Sequence, residues 1–236
     1  KKKNQVDEIK VKGQKAFRSF KYKVPSDPSS CAFFLVLTLL SKNCELLLKN
    51  VNINQSRIGF IKVLNKMGAK IKLLNTKKKY GEKQADILVK SQKSLKKINC
   101  SPRLNSSLID EFLIIFLVAA KAKGISYFKD LSELNQKESP RLRIAAKILK
   151  MMGVKLNYDN SSIKIYGNPN LKLSKKIIIK NFLKDHRVFM LSVIAALTLG
   201  GKWKINDRNA INSSFPNFLK ISKELGGKIN WEKKLL

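Results

Sequence analysis

The 236-residue sequence predicts an α/β protein built as a threefold repeat, with apolar helices at the centre and strands outside them. Three observations carry that prediction. First, an apolar helix leads into a short strand three times: Ser29–Leu40 into Glu45–Val51, Leu108–Ala122 into Ile125–Leu131, and His186–Leu199 into Lys202–Asn206. Second, each strand is followed by an irregular polar stretch, an amphipathic helix and a glycine, in KMGAKIKLL, MMGVKLNY and ELGGKIN; Gly68, Gly153 and Gly226 fit the left-handed position after a helix. Third, the two helix types differ in pattern. Cys31–Leu40 and Phe112–Ala120 are apolar all round and read as buried, whereas Ile144, Ile148, Leu149 and Met152 form one stripe, as do Phe218, Ile221 and Leu225.

Taken in order, residues 1–22 carry two alternating stretches, Val6–Val11 and Ala16–Tyr22, which read as a strand pair belonging to something upstream. The chain opens on Lys1 rather than Met, so further sequence before it is expected. Val24-Pro25-Ser26-Asp27-Pro28 is a break, and a new unit begins there. Repeats are expected at about 25–95, 96–170 and 171–236. Asp27 and Pro28 are the cap and first turn of the first apolar helix. Ser107 can cap the second, with Asp110 at the third helical position and Glu111 beside it, and Gly124 ends that helix. Lys137, Glu138 and Arg141 crowd the next helix start, where Ser139 can cap and Pro140 takes the first position. Asp185, His186 and Arg187 open the third apolar helix, and the last unit closes with Ile229–Trp231.

Forty-nine Lys and Arg against 16 acids give a net charge of +33, which suits nucleic acid, an acidic membrane surface or anionic small substrates. Only seven of the 49 are Arg, however, and the lysines form no stripe, so a lysine-rich composition explains the charge without a nucleic-acid partner. The same scarcity makes each Arg worth inspecting. Cys31, Cys44 and Cys100 show no paired spacing, and with one histidine there is no zinc pattern, so free thiols in a reducing compartment are expected. The longest apolar runs fall short of the ~18 residues that span a bilayer.

Each candidate site residue has an ordinary reading: Asp27 and Asp110 as acids favoured by a helix dipole, His186 as a structural histidine, Lys137, Glu138 and Arg141 as a solvated helix start. Position favours a shared role, since all lie at helix N-termini of equivalent repeat elements. Such ends can converge at one rim, where backbone N–H groups and cations favour an anionic ligand.

SDPSSCAFFLVLTLL, NQSRIGFIKVLNKMGAKI, LIDEFLIIFLVAA, KESPRLRIAAKILKMMGVKL, DHRVFMLSVIAALTL and NSSFPNFLKISKELGGKI follow in order the motifs of the 5-enolpyruvylshikimate-3-phosphate synthase family, which the chain resembles from about Val6 to Asn230. Gly81-Glu82, Ala85-Asp86 and Val89 make it most similar to the glyphosate-insensitive bacterial class. The resemblance implies the C-terminal domain of a two-domain enzyme, an inside-out α/β barrel of three βαβαββ units with buried parallel helices. Residues 1–24 would then be the terminal strands of the missing N-terminal domain plus a hinge, and residues 25–236 the C-terminal domain, with Asp27 and Asp185 as hinge and structural residues.

It also implies transfer of the enolpyruvyl group of phosphoenolpyruvate to the 5-hydroxyl of shikimate 3-phosphate, with release of phosphate and no metal or organic cofactor. By the same resemblance Asp110 binds the shikimate hydroxyls and serves as base, and Lys137 contacts shikimate 3-phosphate. Glu138 moves protons at the enolpyruvyl carbon, and Arg141 and Arg187, with His186 beside them, clamp phosphoenolpyruvate. A cytoplasmic enzyme, monomeric when complete, with neither nucleic acid nor membrane as partner, is the corresponding expectation. Asn135, Pro140, Ser213 and Ser26 depart from the family pattern. The alternatives are UDP-N-acetylglucosamine enolpyruvyl transferase, which shares the fold but lacks the Lys-Glu-Ser-x-Arg cluster, and a basic nucleic-acid-binding module.

Overall fold

Three helices that are apolar on nearly every side must pack on one another, and they set the architecture. The structure is a computed structural model that describes residues 9–13, 16 and 18–230. The helices are α1 (Pro28–Leu40), α3 (Phe112–Lys121) and α5 (His186–Leu199), and each packs against the other two. Phe112–Ala120 is buried without interruption, and Phe33, Leu35, Val188 and Ile194 lie equally deep. Burial of one such side chain is worth ~1.5–3 kcal/mol, so this bundle is the core of the fold. Phe112, Phe116 and Phe128 meet as one aromatic cluster, and Phe33 and Phe34 reach Phe218 on the helix α6 (Phe218–Glu224).

In the first unit α1 is followed by β1 (Glu45–Asn52), α2 (Gly59–Lys66), β2 (Ile71–Lys79) and β3 (Glu82–Lys90), and in the second α3 is followed by β4 (Gly124–Phe128), α4 (Arg141–Met151), β5 (Leu156–Tyr158) and β6 (Ile163–Gly167). Their sheets have matching order, β1-β3-β2 and β4-β6-β5, with the central strand antiparallel to both neighbours. The third unit has β7 (Leu173–Ile179) before α5 and β8 (Gly200–Ile205) after it, paired in parallel. Short parallel bridges, Ser26 to Val51 and Asn99 to Tyr127, stand where β7 stands in the third unit. Each long helix is therefore the crossover of a β-α-β connection. The expected βαβαββ order with buried helices and outer strands is what the first two units adopt, with a short bridge as their first strand, while the third unit runs βαβα among the described residues and lacks the closing pair of strands.

Several local expectations are corrected. The second apolar helix starts at Phe112, because Pro102 opens a 3-10 turn over Pro102–Ser107 in which the Ser107 hydroxyl donates to Leu104 O at 2.7 Å instead of capping. Ala122 caps that helix, and Gly124, at φ +100°, begins β4. Leu225 is 47% exposed, so the apolar stripe of α6 stops at Ile221. Gly227–Asn230 form no strand, and Trp231 lies outside the described residues. No strand occurs among the described residues before Ser26, while Val6–Glu8 and Phe17 of the expected strand pair lie outside them.

Gly68, Gly153 and Gly226 do follow their helices with φ of +97°, +82° and +93°, as expected. Cys31 and Cys100 are buried and Cys44 exposed, all as free thiols. No helix among the described residues is long and apolar enough to cross a membrane.

Candidate functional site

Parallel packing of α1, α3 and α5 brings their N-terminal ends to one rim, and α4 starts there too. Asp185 caps α5 by accepting hydrogen bonds from the Arg187 and Val188 N–H groups. The chain reaches that cap through a tight turn with Leu183 and Lys184 both left-handed, at φ of +55° and +54°, closed by Asp185 N–H donating to Phe182 O at 3.1 Å. Two non-glycine residues at positive φ store strain, and such strain clusters at functional sites.

Arg141, the first residue of α4, is the centre of the rim. Its side chain is 1% exposed, and it binds three carboxylates: Nε donates to Asp185 at 2.9 Å, Nη1 to Asp110 at 3.2 Å, and Nη2 to Glu138. Asp185 is itself fully buried and accepts a further hydrogen bond from the Ser139 hydroxyl at 2.9 Å. Ser139 is therefore a partner of Asp185 and not the cap of α4, whose cap position falls to Pro140. Burial works to raise the Asp185 carboxyl, but the Arg141 charge and the hydrogen bonds from Arg141, Ser139 and Arg187 N–H outweigh it and hold the group below the usual carboxylate range.

Arg187 approaches Asp110 from α5. Its Nη2 lies 3.1 Å from Asp110 Oδ2 and its Nη1 donates to Asp110 O at 3.2 Å, while Nε is buried with no hydrogen-bond partner among the described residues. His186, half buried beside it, has its pKa lowered by burial and then by the Arg187 charge, so the neutral ring is favoured. Asp110 is freed for these contacts because it precedes α3 instead of lying within its first turn.

The rim thus joins Asp110, Glu138, Arg141, Asp185 and Arg187. Lys137 stands apart from the arginines, with Nζ 2.6 Å from Glu133 Oε1. Asp27 caps α1 through Ser30 N–H at 2.7 Å and meets Arg57 at 3.3 Å, not the Arg141 cluster. Asn135 bonds Asn160 O and receives the Arg143 N–H. Two shallow depressions, of about 540 and 570 Å3, lie elsewhere, on the outer face of the second unit at Tyr158.

Sequence reasoning passed over two residues here. Arg57, two residues before α2, stands close to the position that Arg141 takes at the start of α4 in the second unit, and donates to Ser29 Oγ at 3.1 Å. Its signal was repeat equivalence combined with the scarcity of arginine. Glu111 was read only as a capping acid; it is 2% exposed, and burial, with a smaller push from Asp110, raises its carboxyl to about 7 against the pull of Ser29, Arg187 and Arg57.

Buried cations that face partly exposed carboxylates at convergent helix starts can bind an anion by carboxylate exchange and can move protons at an adjacent centre. The class so defined is a repeated α/β domain with an acid–base and anion-handling cluster at one rim. The chain belongs to the EPSP synthase family, matching the family model described as EPSP synthase (3-phosphoshikimate 1-carboxyvinyltransferase) over residues 1–221.

It is 38% identical over 206 residues to the 3-phosphoshikimate 1-carboxyvinyltransferase of Thermodesulfovibrio yellowstonii, covering 87% of this chain and 47% of that one. It is also 38% identical over 221 residues to that of Zymomonas mobilis, covering 92% and 48%. A solved EPSP synthase from Acinetobacter baumannii superposes with a TM-score of 0.81 at 30% identity, over 89% of this chain and 48% of that one. The enolpyruvyl transferase NikO from Streptomyces tendae shares the fold at 14% identity and a TM-score of 0.67, over 86% and 43%. The chain spans about half the length of the curated relatives it matches.

Proposed function

We propose that this chain is the C-terminal half of an enzyme that transfers the enolpyruvyl group of phosphoenolpyruvate to the 5-hydroxyl of shikimate 3-phosphate and releases phosphate. The single observation that carries the reading is the meeting of Arg141 and Arg187 on Asp110 at the convergent starts of α3, α4 and α5. Addition of a hydroxyl across the double bond of an enol phosphate needs a base at the hydroxyl and an acid at the methylene carbon; loss of phosphate from the adduct then needs a proton taken back from the resulting methyl group, and cations must hold the phosphate and the carboxylate throughout. Asp110 suits the base, since two guanidiniums hold its carboxyl in place and it remains partly exposed. Glu138, 55% exposed and tied to Arg141, suits the group that moves protons at the enolpyruvyl carbon.

The arginine forks match carboxylate and phosphate bidentately. Because both guanidiniums are already engaged, the incoming anion exchanges with carboxylates instead of entering an empty seat. Arg187, held by one carboxylate, is the more available cation, and Arg141, held by three, acts from behind the wall. Lys137 can reach shikimate 3-phosphate by leaving Glu133, an exposed partner of little cost to release. Residues 1–24 as the end of an N-terminal domain plus hinge, a monomeric whole enzyme and a cytoplasmic setting belong to the same reading.

A wall at one rim cannot exclude water, and closure against a second domain strengthens every charge interaction at the site. The chain alone is therefore expected to release no phosphate from phosphoenolpyruvate in the presence of shikimate 3-phosphate, and to do so once joined to a matching N-terminal half. In that joined enzyme Asp110→Asn or Glu138→Gln should lower turnover by about 10²–10⁴-fold. Arg187→Ala should weaken phosphoenolpyruvate use by ~10-fold or more. Full turnover by the chain alone, or unchanged kinetics in all three variants, overturns the reading.

A further inference from the structure

We propose that Glu111, the buried carboxyl between the starts of α1, α3 and α5, is a positioning residue whose protonation decides how far Arg187 is available to an anion. The inference rests on the functional reading above and goes beyond it, since Glu111 has no part in the chemistry assigned there. Two buried polar atoms at the rim have no hydrogen-bond partner among the described residues: Glu111 Oε1 and Arg187 Nε. Their charges act on each other, so one is the natural partner of the other. An ionised carboxylate that is nine-tenths buried, supported by Ser29 but with one oxygen that has no donor, is costly, and the two ways to relieve it are a proton or Arg187.

The groups that act on Glu111 from the surrounding elements are Ser29 of α1, Arg57 before α2, Asp110 before α3 and Arg187 of α5. With Glu111 neutral, two guanidiniums (Arg141 and Arg187) face three carboxylates (Asp110, Glu138 and Asp185). An ionised Glu111 would make the carboxylates four. It would draw Arg187 Nε inward, and it would repel an approaching anion across a poorly screened interior. Neutral Glu111 leaves Arg187 held only through Asp110, which is partly exposed and can be displaced. Anion binding and proton binding are then linked: an anion on Arg187 stabilises the protonated carboxyl, and the proton strengthens the anion's hold.

The test uses the 236-residue chain and sulfate, a dianion whose charge is constant across the neutral range, with binding followed on the Arg187 Nε–H NMR signal. Sulfate affinity should fall about tenfold from about pH 6 to about pH 8, following the protonated fraction of a group that titrates near neutrality. Glu111→Gln, neutral at every pH, should bind with the acid-side affinity throughout. His186 does not mimic the effect, because its ring is still present in that variant and its pKa is shifted downward.

A carbon-detected titration of the Glu111 carboxyl needs no variant: sulfate should raise its midpoint. Glu111→Gln with the original pH profile, or a Glu111 midpoint indifferent to sulfate, overturns the proposal. A pH-independent affinity in the unsubstituted chain overturns it too, while leaving the anion seat intact. Absence of sulfate binding at every pH, equal to Arg187→Ala, overturns both this inference and the functional reading.

Discussion

Asp185 and Glu111 lie at neighbouring helix starts, yet their carboxyls are pushed in opposite directions. Asp185 is buried against Arg141 and kept ionised, so its contribution is fully present above the unfolded carboxyl's pKa of ~3.9 and is lost as pH falls through its lower folded value. Glu111 is buried with one oxygen left without a donor, so its raised folded pKa gives a contribution to stability that is fully present below ~4.3 and declines as pH rises to about 7. Asp185→Asn should therefore cost ~3–5 kcal/mol at neutral pH, because Arg141 is left buried without its most enclosed partner. Glu111→Gln should instead gain on the unsubstituted chain by roughly 3 kcal/mol as pH rises from about 4 to about 8. Unfolding by urea across that range measures both, and a pH-independent difference for Glu111→Gln would show that its carboxyl is not strained by burial.

At the scale of elements, the close approach of strand and helix is what glycine permits. Gly167 ends β6 under the C-terminal carbonyls of α3, and a Cβ there would stand 2.1 Å from Ala122 O and 2.6 Å from Ala119 O. Gly167→Ala must push the sheet of the second unit off its core helix, at about 1–3 kcal/mol. Gly153 has open space around it but sits at φ +82°, so Gly153→Ala should cost only the ~1–2 kcal/mol of a left-handed residue. Denaturant midpoints should fall in both, with unchanged slopes. The glycines after the amphipathic helices were legible in the sequence because a helix stop has a local signature. Gly167 was not, because what it avoids is a carbonyl 45 residues earlier in the chain, the difference between 167 and 122.

Across the whole molecule the charge of +33 is spread on lysines over the outer strands, as along β2, where Lys72, Lys77, Lys78 and Lys79 are exposed. Such a surface repels itself, and the repulsion is screened as the Debye length shrinks from ~30 Å at 0.01 M salt to ~8 Å at 0.15 M. The thermal midpoint of the chain should rise over that range with a non-binding salt such as sodium chloride. A midpoint that fell would indicate that attractive surface pairs outweigh the excess of like charge.

The sequence alone determined the repeat, the three buried helices, the glycine stops after the amphipathic helices, and Asp110, Glu138, Arg141, Asp185 and Arg187 as helix-start residues. Each of these follows from side-chain chemistry at short spacing: an all-round apolar helix has to be buried, and a scarce arginine at a helix start has few other uses. Tertiary structure decided who pairs with whom. Ser107 and Ser139 both looked like caps, yet one satisfies the turn opened by Pro102 and the other reaches Asp185, 46 residues away. Asp110 looked like a first-turn acid and became the carboxylate shared by Arg141 and Arg187, while Lys137 turned to Glu133. Glu111 looked like the same kind of acid as its neighbour. Only the packing of α1 and α5 over it makes one carboxylate partly solvated and held by two arginines and the other buried with an oxygen left unpartnered, because desolvation depends on what the rest of the chain places on top of a residue.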